Sequence, residues 1–359
     1  MVPKRENKAY SLINDEIILI HQDSMESMNF NTCNSYLVKL CDFEYIIIDP
    51  GCSRKKLNLT VKENDLDYLK IKYVYLTHGH SDHVSLLDYL RKKNPKINVL
   101  IHEFEKKYVE NSIEYYNMLF DVSLLEKKEE YKDFINTIKH YKNPNLNYPI
   151  KPSFKMVFDI WNVKDRQIDN TFQNGDILPG NLEVIHSPGH TPGMCTFLKR
   201  QEKILFSSDI HLSKTGAYVS GNVGNIHDLK KSINSVIDMV DNEVVKLILS
   251  GHGKNPIKED LKKKLLNFYN SITLKEDEII DLLTKFKSMS IFQITEETFQ
   301  TYLKRFEKYI NLQEFKEVIV IAKASELMAN LNILYELERL EKVEKINKEN
   351  KEFWTLKQY

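Results

Sequence analysis

An excess of charge of either sign is missing from this chain. Its 359 residues hold 51 Lys+Arg and 51 Asp+Glu, a formal net charge of zero, and its isoelectric point is near 7.2. Such a balance gives no bulk attraction to nucleic acid or to an anionic membrane surface. Long apolar runs are missing too, and no stretch approaches the roughly 18 consecutive apolar residues of a membrane-crossing helix. Cysteine is scarce: Cys33, Cys41, Cys52 and Cys195 form no CxxC pair. Free thiols in a reduced, cytoplasmic compartment are therefore expected. The stretch Met1 to Lys8 is charged and leads into no apolar core, so it does not read as a secretory signal. Glycine is absent after Gly253, where a helical composition takes over. The length and the 42% hydrophobic content suit two domains, which we place at 1–257 and 258–359.

What the chain does have is a dense cluster of ligand-type residues. Thr77-His78-Gly79-His80-Ser81-Asp82-His83 packs three imidazoles and a carboxylate into six positions. Three neighbouring imidazoles repel one another if protonated. A divalent cation resolves this, because it binds the neutral nitrogens and supplies the charge that a buried carboxylate lacks. The run follows an apolar strand, Lys72–Leu76, and precedes a helix opening at Val84. In α/β folds, ligands bind at such a strand-to-helix edge. The same device recurs three times. His190 sits in the turn Ser187-Pro188-Gly189-His190-Thr191-Pro192-Gly193, Asp209 ends the strand Ile204–Ser208, and His252 lies between Gly251 and Gly253 after Lys246–Ser250. Small residues there allow close approach of the backbone.

The set His-x-His-x-Asp-His followed by His, Asp and His resembles the signature of the metallo-beta-lactamase-fold metal hydrolases, over about residues 15 to 257. The resemblance implies an α/β fold: an αββα sandwich, here with a helical insertion at about 103–165. It also implies two divalent metal ions. His78, His80 and His190 correspond to the ligands of the first, Asp82, His83 and His252 to those of the second, and Asp209 to the bridge between them. Asp82 is in addition the residue expected to be catalytic. Nitrogen and carboxylate donors without thiolate suit Zn²⁺, with Fe²⁺ and Mn²⁺ as alternatives. Asp49, ending the strand Tyr45–Ile48, matches the family's Asp-x-Gly turn and is expected to support a ligand. His21, His102 and His186 read as structural, and no spacing makes His211, Tyr218 or His227 catalytic.

The chemistry implied is hydrolysis by a metal-bound hydroxide attacking an ester, thioester or lactone carbonyl. The small-molecule substrate is the primary expectation for a partner, with no membrane partner. Residues 258–359 read as helices over Lys258–Ser271 and Lys275–Met289, a further helix starting at Thr295 and a long helical region to Leu340, followed by a hairpin, Val343–Ile346 and Phe353–Leu356, which together resemble a winged helix. Lactamase fold followed by winged helix resembles the beta-lactamase-like protein 2 subgroup, and this implies the alternative of a single-stranded RNA endonuclease. The tail nevertheless holds 18 Lys+Arg against 18 Asp+Glu, without the basic surplus of a nucleic-acid module. A persulfide dioxygenase using a single iron is the third alternative, and the complete second ligand set argues against it. Within the insertion, Glu103–Asp121 and Leu124–His140 read as helices, and Tyr115–Phe120 is expected to pack between helices, with a lid or a dimer contact as the other roles open to it.

Overall fold

The N-terminal strands are apolar at successive positions. Because side chains alternate across a strand, both faces of their sheet must then be covered. The computed structural model describes residues 8–22, 32–41, 43–145, 148–212, 216–217, 219, 221–306, 316–349 and 351–358. Tyr218 and most of the stretch Met1 to Lys8 lie outside them.

The first sheet runs in chain order through β1 (Tyr10–Leu12), β2 (Ile17–Ile20), β3 (Ser35–Cys41), β4 (Glu44–Ile48), β5 (Ile71–Tyr75), β6 (Asn98–His102) and β7 (Asn170–Phe172). Its first four strands pair antiparallel and the rest parallel. The second sheet has β8 (Ile177–Leu178), β9 (Leu182–His186), β10 (Cys195–Lys199), β11 (Ile204–Ser208) and β12 (Leu247–Ser250), with only β11 and β12 parallel.

Alternation sorts the core. Ile17, Leu19, Val38, Ile46 and Ile48 face Val184, Phe197 and Phe206 of the second sheet. Ile18, Ile20, Leu37 and Ile47 face the other way, onto Leu57 and Val61 of α1 (Arg54–Glu63) and, beyond α2 (Ser81–Val84), Leu87 and Leu90 of α3 (Leu87–Lys93). On the far side, Leu198, Leu205 and Ile248 join a cluster with Leu229, Ile233 and Val236. The result is helix, sheet, sheet, helix.

Among its described residues the insertion forms five α-helices, α4 (Glu103–Glu110), α5 (Ser112–Leu119), α6 (Val122–Leu125), α7 (Lys132–Lys142) and α8 (Pro152–Trp161), with a 3₁₀ turn at Glu129–Tyr131. Asn111 breaks the first expected helix, because its side chain accepts from the Ile113 and Glu114 N–H groups and caps a new one. Leu229 to Val236 lie on α9 (Ile226–Asp241).

Two expectations for the C-terminal region are corrected. The helices expected over Lys258–Ser271 and Lys275–Met289 merge into one, α10 (Leu261–Phe286), and Ser288–Met289 fall to a strand instead. The stripe Leu261, Leu265, Phe268, Ile272, Ile279 and Leu283 is buried along its whole length, and neither Gly nor Pro interrupts it. The next helix begins before Thr295: Ser290 and Gln293 cap it reciprocally, backbone N–H to side-chain oxygen in both directions. That helix is α11 (Ile291–Phe306), followed by α12 (Lys316–Arg339). A third sheet of β13 (Ser288–Met289), β14 (Val343–Lys348) and β15 (Lys351–Leu356) has the order β13-β15-β14. Trp354 of β15, Leu334 of α12, Leu265 of α10 and Phe158 of α8 belong to one continuous buried cluster, so the C-terminal region packs onto the insertion. Among the described residues no helix is long and apolar enough to cross a membrane.

Candidate metal centre

The strands that carry the motif residues end at one edge of the sandwich. Asp49 follows β4, His78 follows β5, Asp209 follows β11 and His252 follows β12. Hydrogen bonds tie the two sheets together at this edge: Cys195 N–H donates to the Thr77 carbonyl (2.9 Å), Asn34 N–H to that of Gly251 (2.7 Å), and Tyr36 O–H to that of Ser250 (2.7 Å). Gly51 is needed here by close approach. A Cβ on it would lie 1.5 Å from the Asp82 carbonyl oxygen.

Seven ligand-type side chains converge in two adjoining groups: His78, His80, His190 and Asp209, and Asp82, His83 and His252. In the first, His80 Nδ1 is 2.9 Å from His78 Nε2 and 3.0 Å from His190 Nε2. In the second, His252 Nε2 is 3.2 Å from Asp82 Oδ2. Asp209 turns one oxygen to each group, with Oδ2 3.1 Å from His190 Nε2 and Oδ1 3.2 Å from His83 Nε2. His78, His83 and His190 are buried. The side chains of Asp82 and His252 keep 20% and 25% exposure, so the second group is the one that opens outward.

Neighbouring groups fix the ring tautomers. Asp49 is buried and accepts three hydrogen bonds: from Thr77 N–H (2.8 Å), from the Thr77 hydroxyl (2.8 Å) and from His83 Nδ1 (2.9 Å). The Thr77 hydroxyl gives its one proton to Asp49. Toward His78 Nδ1, 3.0 Å away, it can therefore only accept. His252 Nδ1 lies 3.0 Å from Gln22 Oε1, another acceptor. In all three rings Nδ1 carries a proton and Nε2 faces the centre, as a metal ligand requires.

Do these residues fit a cation? Two observations say that they do. His83 Nε2 and Asp209 Oδ1 are buried and lack hydrogen-bond partners, an arrangement that costs stability unless something bridges them. The titration behaviour divides the two groups. Burial, reinforced by the neighbouring imidazoles, holds His78 well below the ordinary histidine range, and burial and then His190 hold His80 down to about 3. Burial opposes ionisation of Asp82, but His83 and His252 outweigh it and keep the carboxylate charged. In the second group burial opposes charge on His83 and His252, but the acidic side chains around them outweigh it and raise both imidazoles, so a divalent cation would take the place of their protons and meet neutral nitrogens and ionised carboxylates.

A cavity of about 330 Å³ opens onto these groups. His80, Asp82, His190, Asp209 and His252 form its floor. Tyr115, Leu119 and Phe120, Trp161 at the end of α8, and Ser325 of α12 form its walls. The insertion's aromatic cluster thus divides: Tyr116 stacks on Phe158 (centroids 5.4 Å apart), while Tyr115 faces the cavity. His211 also lines it, and burial pushes its imidazole down to about 4. The sequence offered no pointer to His211 beyond its place two residues after Asp209. It offered none to Ser325, which arrives from far along the chain.

The remaining histidines lie away from the floor. His102 and His186 stack on each other (4.6 Å, 5°), His21 pairs with Ser11, and His227 faces Glu336 at 3.9 Å.

The family model of the metallo-beta-lactamase superfamily matches residues 28–252. Hydroxyacylglutathione hydrolase GloC of Haemophilus influenzae is 25% identical over 211 residues, 58% of this chain and 79% of that protein. The probable metallo-hydrolase YqgX of Bacillus subtilis is 27% identical over 220 residues, 61% and 84% of the two chains. A beta-lactamase domain protein from Burkholderia ambifaria shares the fold over 99% of this chain and 96% of its own, with a TM-score of 0.63 at 16% identity. A metallo-beta-lactamase family protein from Thermus thermophilus does so over 90% and 93%, with a TM-score of 0.59 at 18% identity. The chain belongs to the metallo-beta-lactamase superfamily and is a metal-dependent hydrolase of that fold.

Proposed function

We propose that this metallo-beta-lactamase superfamily member hydrolyses esters or thioesters of small acyl groups, with His78, His80 and His190 holding one ion, Asp82, His83 and His252 a second, and Asp209 bridging. The cavity carries this reading. Its walls are largely aromatic and aliphatic, and neither Lys nor Arg is among the described residues that line it. A phosphodiester backbone needs cationic partners along its track, whereas an acyl group needs an apolar slot with a few polar groups at one end. The resemblance to a hydroxyacylglutathione hydrolase supports the thioester arm, since an acyl-glutathione is a thioester.

When bound, the cation pair supplies an acidified water at neutral pH and Lewis-acid stabilisation of the developing oxyanion. The protein's own part is to hold and orient. Asp49 and Thr77 keep the Nε2 lone pairs aimed inward, Asp209 fixes the separation of the two groups, and the Tyr115–Phe120 wall and Trp161 exclude water around an acyl chain. Zn²⁺ suits this donor set.

We read residues 1–257 as the catalytic domain and 258–359 as a winged-helix-like domain that closes one side of the cavity. The order α10, β13, α11, α12, β14, β15, with β13 beside β15, supports the winged-helix comparison, and Ser325 in the cavity wall supports the closing role. The test is a turnover assay of a Zn-loaded preparation on acyl thioesters and esters in one arm and single-stranded RNA in the other, with chelated protein as control. Thioester or ester turnover with intact RNA is expected. Metal-dependent RNA cleavage without acyl turnover would overturn the proposal.

A further inference from the structure

Glu105 is the most buried acid near the centre that the mechanism above does not use. It lies in the first turn of α4, one strand over from the His78 loop, with no measurable exposure. Its two oxygens point in different directions along the same edge. Oε2 accepts the Gly79 N–H at 2.9 Å, and Oε1 accepts the Gly193 N–H at 2.7 Å. Gly79 is the residue between His78 and His80, and Gly193 closes the turn that carries His190. One carboxylate therefore joins the two loops that supply every imidazole of the first group. It makes no such link to the ligand loops of the second group among the described residues.

Both glycines are explained by this contact. A Cβ on Gly193 would lie 2.8 Å from Glu105 Cγ, and one on Gly79 would lie 3.2 Å from Glu105 Oε2. A side chain at either place would push the carboxylate off the N–H that it accepts.

We propose that Glu105 is the positioning residue of the first metal group, setting the separation of the His78-Gly79-His80 and His190 loops through its paired bonds to Gly79 and Gly193. The inference rests on the ligand assignment proposed above. Substituting Gln keeps one acceptor oxygen but turns an amide N–H₂ toward the other backbone N–H, so one strut of the clamp is lost. Outer partners that orient metal ligands typically change affinity about 10- to 100-fold when removed. That loss should fall on the first ion alone.

The experiment is a Co²⁺ titration of the metal-free protein followed by absorption, with the melting temperature of each metal-free variant measured alongside. His80→Ala and His252→Ala provide the spectra of protein lacking one group or the other. The parent should take up two equivalents. In Glu105→Gln and in Gly193→Ala the first ion should bind about 10- to 100-fold more weakly, with the second unchanged. Gly193→Ala decides the matter if Glu105→Gln does not fold. A parent that takes up fewer than two equivalents would overturn the ligand assignment and this inference with it. A normal parent with variants that bind both ions as it does, or that weaken both equally, would overturn the role of Glu105 alone.

Discussion

Replacing Asp49 by Asn tests how the second group is held ready. Asp49 accepts from Thr77 N–H, from the Thr77 hydroxyl and from His83 Nδ1. The amide retains one oxygen for the Thr77 N–H, while its N–H₂ meets His83 Nδ1 donor to donor. The ring's escape is the other tautomer, with the proton on Nε2. That proton then occupies the nitrogen that would bind the ion, on the side of Asp209 Oδ1, 3.2 Å away. Restoring the metal-binding tautomer forfeits a hydrogen bond to a charged group, about 1.5–3 kcal/mol. At about 1.4 kcal/mol per tenfold, the second ion should bind roughly 10- to 150-fold more weakly. The first group senses the change only through Thr77 and should lose less. The metal-free protein should lose less, because in the new tautomer His83 Nδ1 accepts a hydrogen bond from the Asn N–H₂. Calorimetric titration with Zn²⁺ and melting with and without metal measure both effects. The expected result is a smaller metal-induced rise in melting temperature with a nearly unchanged metal-free value. Unaltered affinity for both ions would refute the tautomer argument.

Three further perturbations follow from the same geometry. His80→Ala and Asp82→Ala should each nearly abolish turnover while the metal-free chain still melts cooperatively, and full activity in both purified variants would remove them from the centre. Ser325→Phe should fill the cavity from α12 and cut kcat/KM for longer acyl groups about 10- to 200-fold without altering metal uptake, whereas an equal loss for every acyl length would argue against a steric role. His211, held down to about 4 by burial, binds fewer protons folded than unfolded between that value and about 6.5. Its contribution to stability is therefore complete above about pH 6.5 and is lost as the pH falls toward 4. His211→Gln should melt with a shallower acid decline than the parent, and parallel declines would contradict the assignment.

Legibility from sequence followed distance along the chain. The six positions from His78 to His83 are local, so their residue types and spacing announced a centre directly. His190, Asp209 and His252 were legible because each closes a strand in a small-residue turn, although nothing local states that the strands end at one edge. That follows from pairing of β11 with β12 and from packing of their sheet on the one that holds β5, which together span more than 170 residues of chain. The break expected near Ile272 was an error of the same kind. Local composition there is ambiguous, and burial of the Leu261–Leu283 stripe against the rest of the core decided for one continuous helix. Glu105 left no trace at all, because a glutamate in the first turn of a charged helix is ordinary. Only its bonds to two distant glycines distinguish it.

The cavity wall extends this to specificity. Its floor comes from strand ends that the fold fixes, but Tyr115 and Trp161 come from the insertion and Ser325 from α12. These belong to the part of the molecule built around the continuous cluster that runs from Phe158 through Leu265 to Trp354. Packing of the C-terminal helices onto the insertion therefore sets the distance between the metal floor and the opposite wall. On the proposed reading, chemistry is encoded in the sandwich and acyl-group selection in how two additions to it meet. Substitutions in the α8–α12 contact, far from any ligand, should consequently alter KM before they alter kcat.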